Sequence, residues 1–247
     1  MILDGQYIPD WMAEFFPRIE ALGGDTSTVH GCGCFGCVFP SKSDDRWVYK
    51  LTGDKREGPM WEWIHKNQKQ GVAGMDAFVF VSHVESVDDV KFRKTLVKRE
   101  EVDLSQRPSL TLDKYFSELQ SYGRNYLHRH RSHTELAKED AEEYEKNARI
   151  MAKFPGFDVL SRGLVKVAEK GIYLGDLHAH NVGRSIVDWG KDIRPPGTWV
   201  VFDPGMTSVD GPCPVHGPRD KALSRVSKKA RQARPRSPKR TRHGWGV

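Results

Sequence analysis

The sequence lacks any long run of apolar residues. A membrane-spanning helix needs about eighteen uninterrupted apolar residues, and no window of this sequence approaches that length. The first residues show no basic segment followed by an apolar one, so we expect no secretory leader. No internal repeat is visible either. These absences predict a chain that does not enter a membrane and that works in the cytoplasm.

Cysteine is scarce, and its four positions are unevenly placed: Cys32, Cys34, Cys37 and Cys213. Three cysteines within six residues do not suit an ordinary disulfide framework, so we expect reduced thiols. A zinc site built from these residues with His216 is the alternative. We favour it less, because the glycines between the first three cysteines already have a use, described below.

The charge of the chain is not evenly spread. The whole chain carries +6, but residues 219–247 alone contain eleven Lys/Arg and one Asp. Residues 1–218 hold 28 basic and 32 acidic residues, which is a net charge of −4. We expect the tail to be disordered when alone. Its charge suits nucleic acid or an acidic protein partner, and the sequence leaves this choice open.

A glycine-rich stretch follows the spacing G-x-G-x-x-G-x-V, with Gly31, Gly33, Gly36 and Val38. Glycines let a backbone approach phosphates closely, and Phe35 at the tip can close over them. A dinucleotide-binding fold would place a helix next. Here a strand, a polar turn and a second strand follow, which favours a phosphate-covering hairpin. The structural alternative is a plain glycine-rich hairpin.

Lys50 stands in the second of these strands, twelve positions after Val38. A lysine that points inward from a strand needs an anionic partner, such as ATP phosphates together with a glutamate. Glu57 and Glu62 are the candidates, and we favour Glu57 because Asp54-x-x-Glu57 resembles a capping box. The alternative is a lysine that extends from a strand at the edge of the sheet into solvent.

The stretch around Asp176 carries the strongest chemical pattern. Asp176 is followed five positions later by Asn181, and Asp203 ends an apolar strand about twenty residues on. Phosphoryl transfer needs one carboxylate to receive the hydroxyl proton, and an Asn and an Asp to hold Mg²⁺. His178, two residues after the base, is a candidate contact of the transferred phosphate. Asp and Asn also cap turns, which is the structural alternative.

Periodicity predicts a short helix in the first 22 residues, a helical region over 111–153 and another helix over 157–170. Strands are predicted at Phe78–Val81 and Thr95–Val102. The second of them ends in Glu100, Glu101 and then Val102. This ending suits a hinge whose backbone meets adenine, with Glu100 and Val102 as the contacts.

Four motifs in this order resemble those of the protein-kinase-like superfamily: the glycine stretch, the strand lysine, the Asp176 loop and Asp203-Pro204-Gly205. Gly175-Asp176-Leu177-His178 is similar to the aminoglycoside-phosphotransferase branch. The layout is similar to the early protein kinases of T7-type phages. The resemblance implies ATP and Mg²⁺ as cofactors, a serine/threonine of a protein as acceptor, and the host cytoplasm if the chain is phage-encoded.

The resemblance also implies an α+β, two-lobed fold with a truncated C-terminal lobe. We expect an N-terminal helix over 1–24, a nucleotide-binding lobe over 25–102, a mostly helical lobe over 103–218 and a basic tail over 219–247. The helices that normally form the substrate platform are missing. Two alternatives therefore stay open: a small-molecule phosphotransferase, and a kinase-fold protein that binds nucleic acid or a host complex through its tail.

Overall fold

The computed structural model describes residues 1–88, 93–129, 138–170, 172–189, 194–205 and 207–208, with side chains described except at 122–141, 173, 207 and 208. Helices combine with antiparallel sheets in this part of the chain, which confirms the predicted α+β class. Met1–Gly211 form one compact unit. The second unit, Pro212–Val247, contains the predicted tail and lies outside the described residues, as do Cys213 and His216. Within the described ranges, no helix is long and apolar enough to span a bilayer.

The strands are β1 (Ile2–Leu3), β2 (Gln6–Tyr7), β3 (Gly31–Cys32), β4 (Gly36–Pro40), β5 (Trp47–Thr52), β6 (Val81–Asp88), β7 (Arg93–Glu100), β8 (Val102–Asp103), β9 (Tyr173–Leu174), β10 (Val182–Ser185), β11 (Trp199–Val201) and β12 (Thr207–Ser208). The helices are α1 (Asp10–Ala13), α2 (Phe16–Ala21), α3 (Glu57–Lys69), α4 (Leu110–Arg129), α5 (Lys138–Met151) and α6 (Asp158–Ala168). Short 3-10 turns cover Met75–Ala77 and Ala179–Asn181.

The largest sheet has the strand order β3-β4-β5-β7-β6, and every neighbouring pair is antiparallel. Successive side chains of β5 point to opposite faces. Tyr49 and Leu51 pack into a hydrophobic cluster with the N-terminal segment. Lys50 shares the other face with its cross-strand partner Val97, which packs in a second cluster with Met60 of α3. The sheet therefore presents Lys50 on its α3 side.

The N-terminal segment differs from the predicted single helix. Asp4 and Gly5 have positive φ angles of 48° and 75° and turn the chain between β1 and β2. Asp-Gly is a strong hairpin signal, and it outweighs the helical spacing at this end of the chain. Two short helices follow, with Pro9 before α1 and Pro17 in the first turn of α2. The apolar side chains selected by the helical spacing do pack against the sheet.

The predicted strand at Phe78–Val81 is also wrong in its bounds. Phe78 makes only an isolated parallel bridge with Val201, and β6 begins at Val81. Strand β6 then continues through polar residues to Asp88 as the outer strand of the sheet, paired along one side with β7. Its half-buried side chains give little hydrophobic signal, which is why the sequence pattern missed most of it.

The helical region packs into the larger hydrophobic cluster. Leu119 of α4, Tyr144 of α5 and Leu164 of α6 are all buried there. Two small antiparallel sheets lie next to these helices, β11-β10-β8 and β12-β9. The Asp176 loop connects β9 to β10, and Asp203 follows β11. Because β10 and β11 are paired, with Val182 opposite Val201, the end of the loop lies next to the segment that carries Asp203.

Candidate active site

Lys50 is buried between two carboxylates that are far apart in sequence. Its Nζ contacts Glu57 Oε1 and lies 2.8 Å from Asp203 Oδ2, and the residue is 8% exposed. Burial by itself would lower the pKa of Lys50, but the charges and hydrogen bonds of Glu57 and Asp203 outweigh it and raise the pKa above 10.5. Lys50 is therefore a fixed cation that joins the sheet to the segment after β11.

Glu57 is held in place by two further side chains. Trp61 Nε1 donates to Glu57 Oε1 and Thr52 Oγ1 donates to Oε2, each at 2.8 Å. Glu57 is thus the glutamate that contacts Lys50, as favoured from the sequence. Glu62 lies elsewhere on α3 and pairs with Arg93 at 2.5 Å. No motif in the sequence marks Thr52 or Trp61 as partners of Glu57, although Trp61 stands one helical turn after Glu57.

Gly58 lets helix α3 approach the sheet closely. A Cβ at this position would collide with Thr95 Oγ1 and come 3.3 Å from Arg93 Cδ on β7. The absent side chain brings the first turn of α3 against the strand, and with it Glu57 next to Lys50. A glycine inside a helix lowers the stability of that helix, but at this position it permits the close packing of α3 on the sheet.

Asn181 ties the Asp176 loop to the segment that carries Asp203. Its Nδ2 donates to the Asp176 carbonyl oxygen at 2.8 Å and to Asp176 Oδ2 at 3.3 Å. The backbone carbonyl oxygen of Asn181 accepts hydrogen bonds from the backbone N–H of Phe202 at 3.0 Å and from that of Asp203 at 3.5 Å. The structure thus brings together Asp176, Asn181, Asp203 and Lys50, four residues selected from the sequence.

His178 faces the carboxylate of Asp176. His178 Nδ1 accepts the backbone N–H of His180 at 3.2 Å, so a neutral ring carries its proton on Nε2. Nε2 lies 3.6 Å from Asp176 Oδ1, which is an electrostatic contact beyond hydrogen-bonding distance. Both side chains are about one third exposed, at 37% for His178 and 33% for Asp176. The pair is open to an incoming group.

The oxygen atoms of this cluster suit a hard divalent cation. Because Nδ2 of Asn181 donates to Asp176, its Oδ1 is the atom left for a metal ion. Asp203, whose backbone N–H donates to the Asn181 backbone carbonyl oxygen, is the neighbouring residue that offers a carboxylate. No group of three or more His, Cys, Asp or Glu side chains in the described ranges could hold a metal ion. An Asn and an Asp instead fit Mg²⁺, which keeps waters and phosphate oxygens as its other ligands.

The glycine-rich stretch forms the hairpin of β3 and β4 beside this cluster. Val38 is the cross-strand partner of Lys50, so both side chains share one sheet face. A Cβ at Gly31 or Gly33 would meet no described atom within 4 Å, whereas one at Gly36 would come 2.5 Å from the Leu51 carbonyl oxygen. Phe35 at the tip is 64% exposed. The space next to Gly31 and Gly33 is therefore open, whereas Gly36 is required because its backbone packs closely against β5.

Two cysteines of this hairpin form a disulfide, which corrects the expectation of reduced thiols. Cys32 and Cys37 are cross-strand partners in β3 and β4, with their Cα atoms 4.1 Å apart. Antiparallel pairing brings them within bonding distance although only four residues separate them. Cys34 between them is free and exposed. A zinc site that uses all three thiols is not formed in this arrangement.

The predicted hinge residues are both buried. Glu100 is 0% exposed, and its carboxylate contacts Arg194 and Ser185 and accepts the Phe80 N–H at 3.0 Å. Val102 is 5% exposed and packs against Gly183. The Glu100 side chain therefore points into an internal ion pair. Its backbone N–H donates to the Phe80 carbonyl oxygen at 2.8 Å, so the Glu100 side chain and N–H do not make the predicted contact with a base.

Arg194, which no sequence pattern singles out, anchors this region. It is 3% exposed, and its Nη1 donates to the Phe78 carbonyl at 2.6 Å while Nη2 contacts Glu100. Burial lowers the pKa of Arg194, and Glu100 opposes that shift. Arg194 is followed by Pro195 and Pro196, and no periodic pattern surrounds it in the sequence.

Comparison of the chain with protein-family models and with curated proteins finds no match.

Proposed function

We propose that this chain is an ATP- and Mg²⁺-dependent phosphotransferase with a two-lobed, protein-kinase-like arrangement. The proposed acceptor is a serine or threonine hydroxyl of a protein. In this view the five-stranded sheet with α3 binds the nucleotide, and the helical region carries the Asp176 loop. The acceptor class follows from the sequence resemblance.

The observation that carries the proposal is the position of Lys50. A buried lysine contacts both Glu57 and Asp203, which stands 153 positions later, and Asp203 adjoins Asn181. Buried charges persist where they are paired or where function requires them. A fixed cation, a metal-binding pair and a partly exposed carboxylate in one place are the parts that phosphoryl transfer requires.

Each residue of the cluster then has a stated task. Lys50, oriented by Glu57, binds phosphate oxygens, and the open backbone at Gly31 and Gly33 covers them. Asp176 orients the acceptor hydroxyl and receives its proton. Asn181 fixes Asp176 through its two hydrogen bonds. His178 lies beside Asp176, where its Nε2–H can donate to the transferred group.

Asn181 and Asp203 would hold Mg²⁺, which neutralises charge on the phosphates when bound. With Lys50 they would position the phosphates in front of Asp176. The reaction needs no covalent intermediate on the protein in this scheme. The residues orient the reactants and stabilise charge, which is the main part of catalysis in this reaction class.

The proposal is tested by incubating the purified chain with γ-labelled ATP, Mg²⁺ and two panels of acceptors, one of proteins and one of small amino-alcohols. Label on serine or threonine of a protein is the expected result. Label only on a small molecule supports the phosphotransferase but replaces the proposed acceptor. Asp158→Asn, at an exposed helix carboxylate paired with Arg162, serves as the control and should match the wild type.

A further inference from the structure

The disulfide between Cys32 and Cys37 closes the turn of the glycine-rich hairpin. The two cysteines are cross-strand partners in β3 and β4, and only residues 33–36 lie between them. Within this turn the Gly33 N–H donates to the Gly36 carbonyl oxygen at 2.8 Å. The enclosed residues belong to the segment proposed to cover the phosphates. The bond therefore restrains the part of the chain that would meet the nucleotide.

The two strands of the hairpin are anchored unequally. Strand β4 pairs with β5 along all five of its residues, and the Phe35 carbonyl oxygen accepts the Gly53 N–H at 2.8 Å. Gly36 also packs closely against Leu51. Strand β3, in contrast, has two residues and stands at the edge of the sheet next to β4. The disulfide therefore ties a weakly held strand to a firmly held one.

The bond lies on the sheet face opposite the candidate site. Gly31 is the cross-strand partner of Val38, and Val38 is that of Lys50, so Gly31 shares the face of Lys50. Cys32 and Cys37 are the next residues along each strand and point to the other face, where they pack in the N-terminal cluster. The disulfide can thus form or break without occupying the space proposed for the phosphates, while it controls where β3 lies.

One of the two sulfur-bearing residues is open to attack. Cys37 is 1% exposed, whereas Cys32 is only half-buried. A cleft of about 360 Å³ lies beside the hairpin, and its lining includes Tyr7, Trp11, Cys34 and Cys37. The sulfur of Cys32 is therefore the one that an incoming thiolate would attack.

We propose that Cys32 and Cys37 form a reversible thiol–disulfide site that sets nucleotide affinity, with a dithiol as the reductant. The oxidised chain binds ATP more tightly than the reduced chain. The inference rests on the proposed function. It also fits the predicted cytoplasmic setting, because disulfides that form in a reducing compartment are usually transient and serve catalysis or redox sensing.

The exchange proceeds in two steps. One thiolate of the dithiol attacks the Cys32 sulfur, and the Cys37 thiolate leaves and takes up a proton. The second thiol of the dithiol then attacks the mixed disulfide and releases Cys32 as a thiol. Two electrons pass to the chain, which gains two thiols, and the dithiol departs as a disulfide.

The direction of the effect follows from the restraint on β3. With the bond intact, Gly31 and Gly33 are already held in place before a nucleotide arrives. Without it, binding has to order this edge strand, and that ordering reduces the affinity. The alternative is that the bond only stabilises the N-terminal cluster. Reduction would then lower the free energy of unfolding and leave the ATP affinity unchanged.

The test measures ATP binding in the presence of Mg²⁺ by equilibrium dialysis of the full chain. One sample is oxidised with oxidised glutathione and the other is reduced with dithiothreitol. Differential alkylation followed by peptide mass analysis reports whether Cys32 and Cys37 are bonded in each sample. We expect the affinity to fall about three- to tenfold on reduction and to return on reoxidation.

Two variants separate the sulfurs of the hairpin. The double variant Cys32→Ala/Cys37→Ala should show the weaker affinity under both conditions, and the single variant Cys32→Ser serves if the double variant does not fold. Cys34→Ser is the matched control, because Cys34 lies in the same turn but is free and exposed. This control should respond to reduction as the wild type does.

Three results would overturn the inference. One is equal ATP affinity in the two samples although alkylation shows that the bond has formed and been broken. Another is Cys32 and Cys37 that remain open to alkylation after oxidation. The third is a response that disappears in Cys34→Ser. In each case the phosphotransferase proposal would stand, whereas a lack of ATP binding in both samples would remove that proposal and this inference with it.

Discussion

Gly205 lies directly against Asp176: a Cβ at position 205 would come 2.5 Å from Asp176 Oδ2. Gly205 also has a positive φ of 52°, and its N–H donates to Asp203 Oδ1 at 3.3 Å. One glycine thus separates the proposed proton acceptor from the proposed metal ligand. Its small size sets how closely Asp176 and Asp203 approach.

Gly205→Ala should displace the Asp176 carboxylate. We expect the rate of phosphate transfer to fall about 100-fold, because a misplaced catalytic group costs about that much, while nucleotide affinity changes little. Steady-state kinetics and nucleotide titration separate the two effects. Gly197→Ala is the matched control, since Gly197 also has a positive φ, of 80°, but has no described atom within 4 Å of the new Cβ. Equal losses in both variants would contradict this account.

Glu57→Gln should weaken the orientation of Lys50. The expected result is a loss of about 100-fold in transfer rate, with a fall of about 1–3 kcal/mol in unfolding free energy, because a buried charged partner is removed. Glu62→Gln, on the same helix but paired with Arg93, should stay within about twofold of the wild type. Rates and urea unfolding of both variants provide the comparison. Similar behaviour of the two variants would remove the assigned role of Glu57.

Arg194 and Glu100 form a buried ion pair, which a double-mutant cycle can measure. Arg194→Met should lower the unfolding free energy by about 3–5 kcal/mol, because it leaves Glu100 buried without its cation. Adding Glu100→Gln should recover part of that loss. Urea unfolding of the two single variants, the double variant and the wild type gives the coupling. Strictly additive losses would show that the two residues act independently.

The pKa of Lys50 leads to a prediction at alkaline pH. Because the folded-state pKa is raised above 10.5, the stabilisation from Lys50 is complete below pH 10.5 and is lost as the pH rises through the folded-state value. The difference in unfolding free energy between wild type and Lys50→Met should therefore be constant below that pH and shrink above it. Lys146→Met, at an exposed lysine paired with Glu143, should show a difference that stays small throughout. A Lys50 difference independent of pH would contradict the assignment.

The sequence was most informative where a residue type is tied to a chemical task. Lys50 and Asp203 are predicted site residues because each is a charged residue in or at the end of an apolar strand, and Asp176 and Asn181 because their five-residue spacing suits a base and a metal ligand. The structure brings these four together. Their chemical roles remain predictions.

Contacts between distant polar residues could not be predicted in this way. Arg194 reaches Glu100 across 94 positions, and no periodic pattern marks either residue. The N-terminal helix was wrong because the Asp4-Gly5 turn dominates its flanking residues, and the Cys32–Cys37 bond depends on a strand register that spacing alone does not give. Local patterns predicted elements, whereas pairing across the fold required the structure.

The most direct test of the central claim is a time course of phosphate transfer with Mg²⁺ and γ-labelled ATP, comparing wild type with Asp176→Asn. This variant keeps the size of the side chain and removes its ability to accept the proton. We predict labelled protein with the wild type and a loss of at least about 100-fold in rate with Asp176→Asn, with nucleotide affinity retained. Equal labelling of both proteins, or no transfer by the wild type, would contradict the proposal.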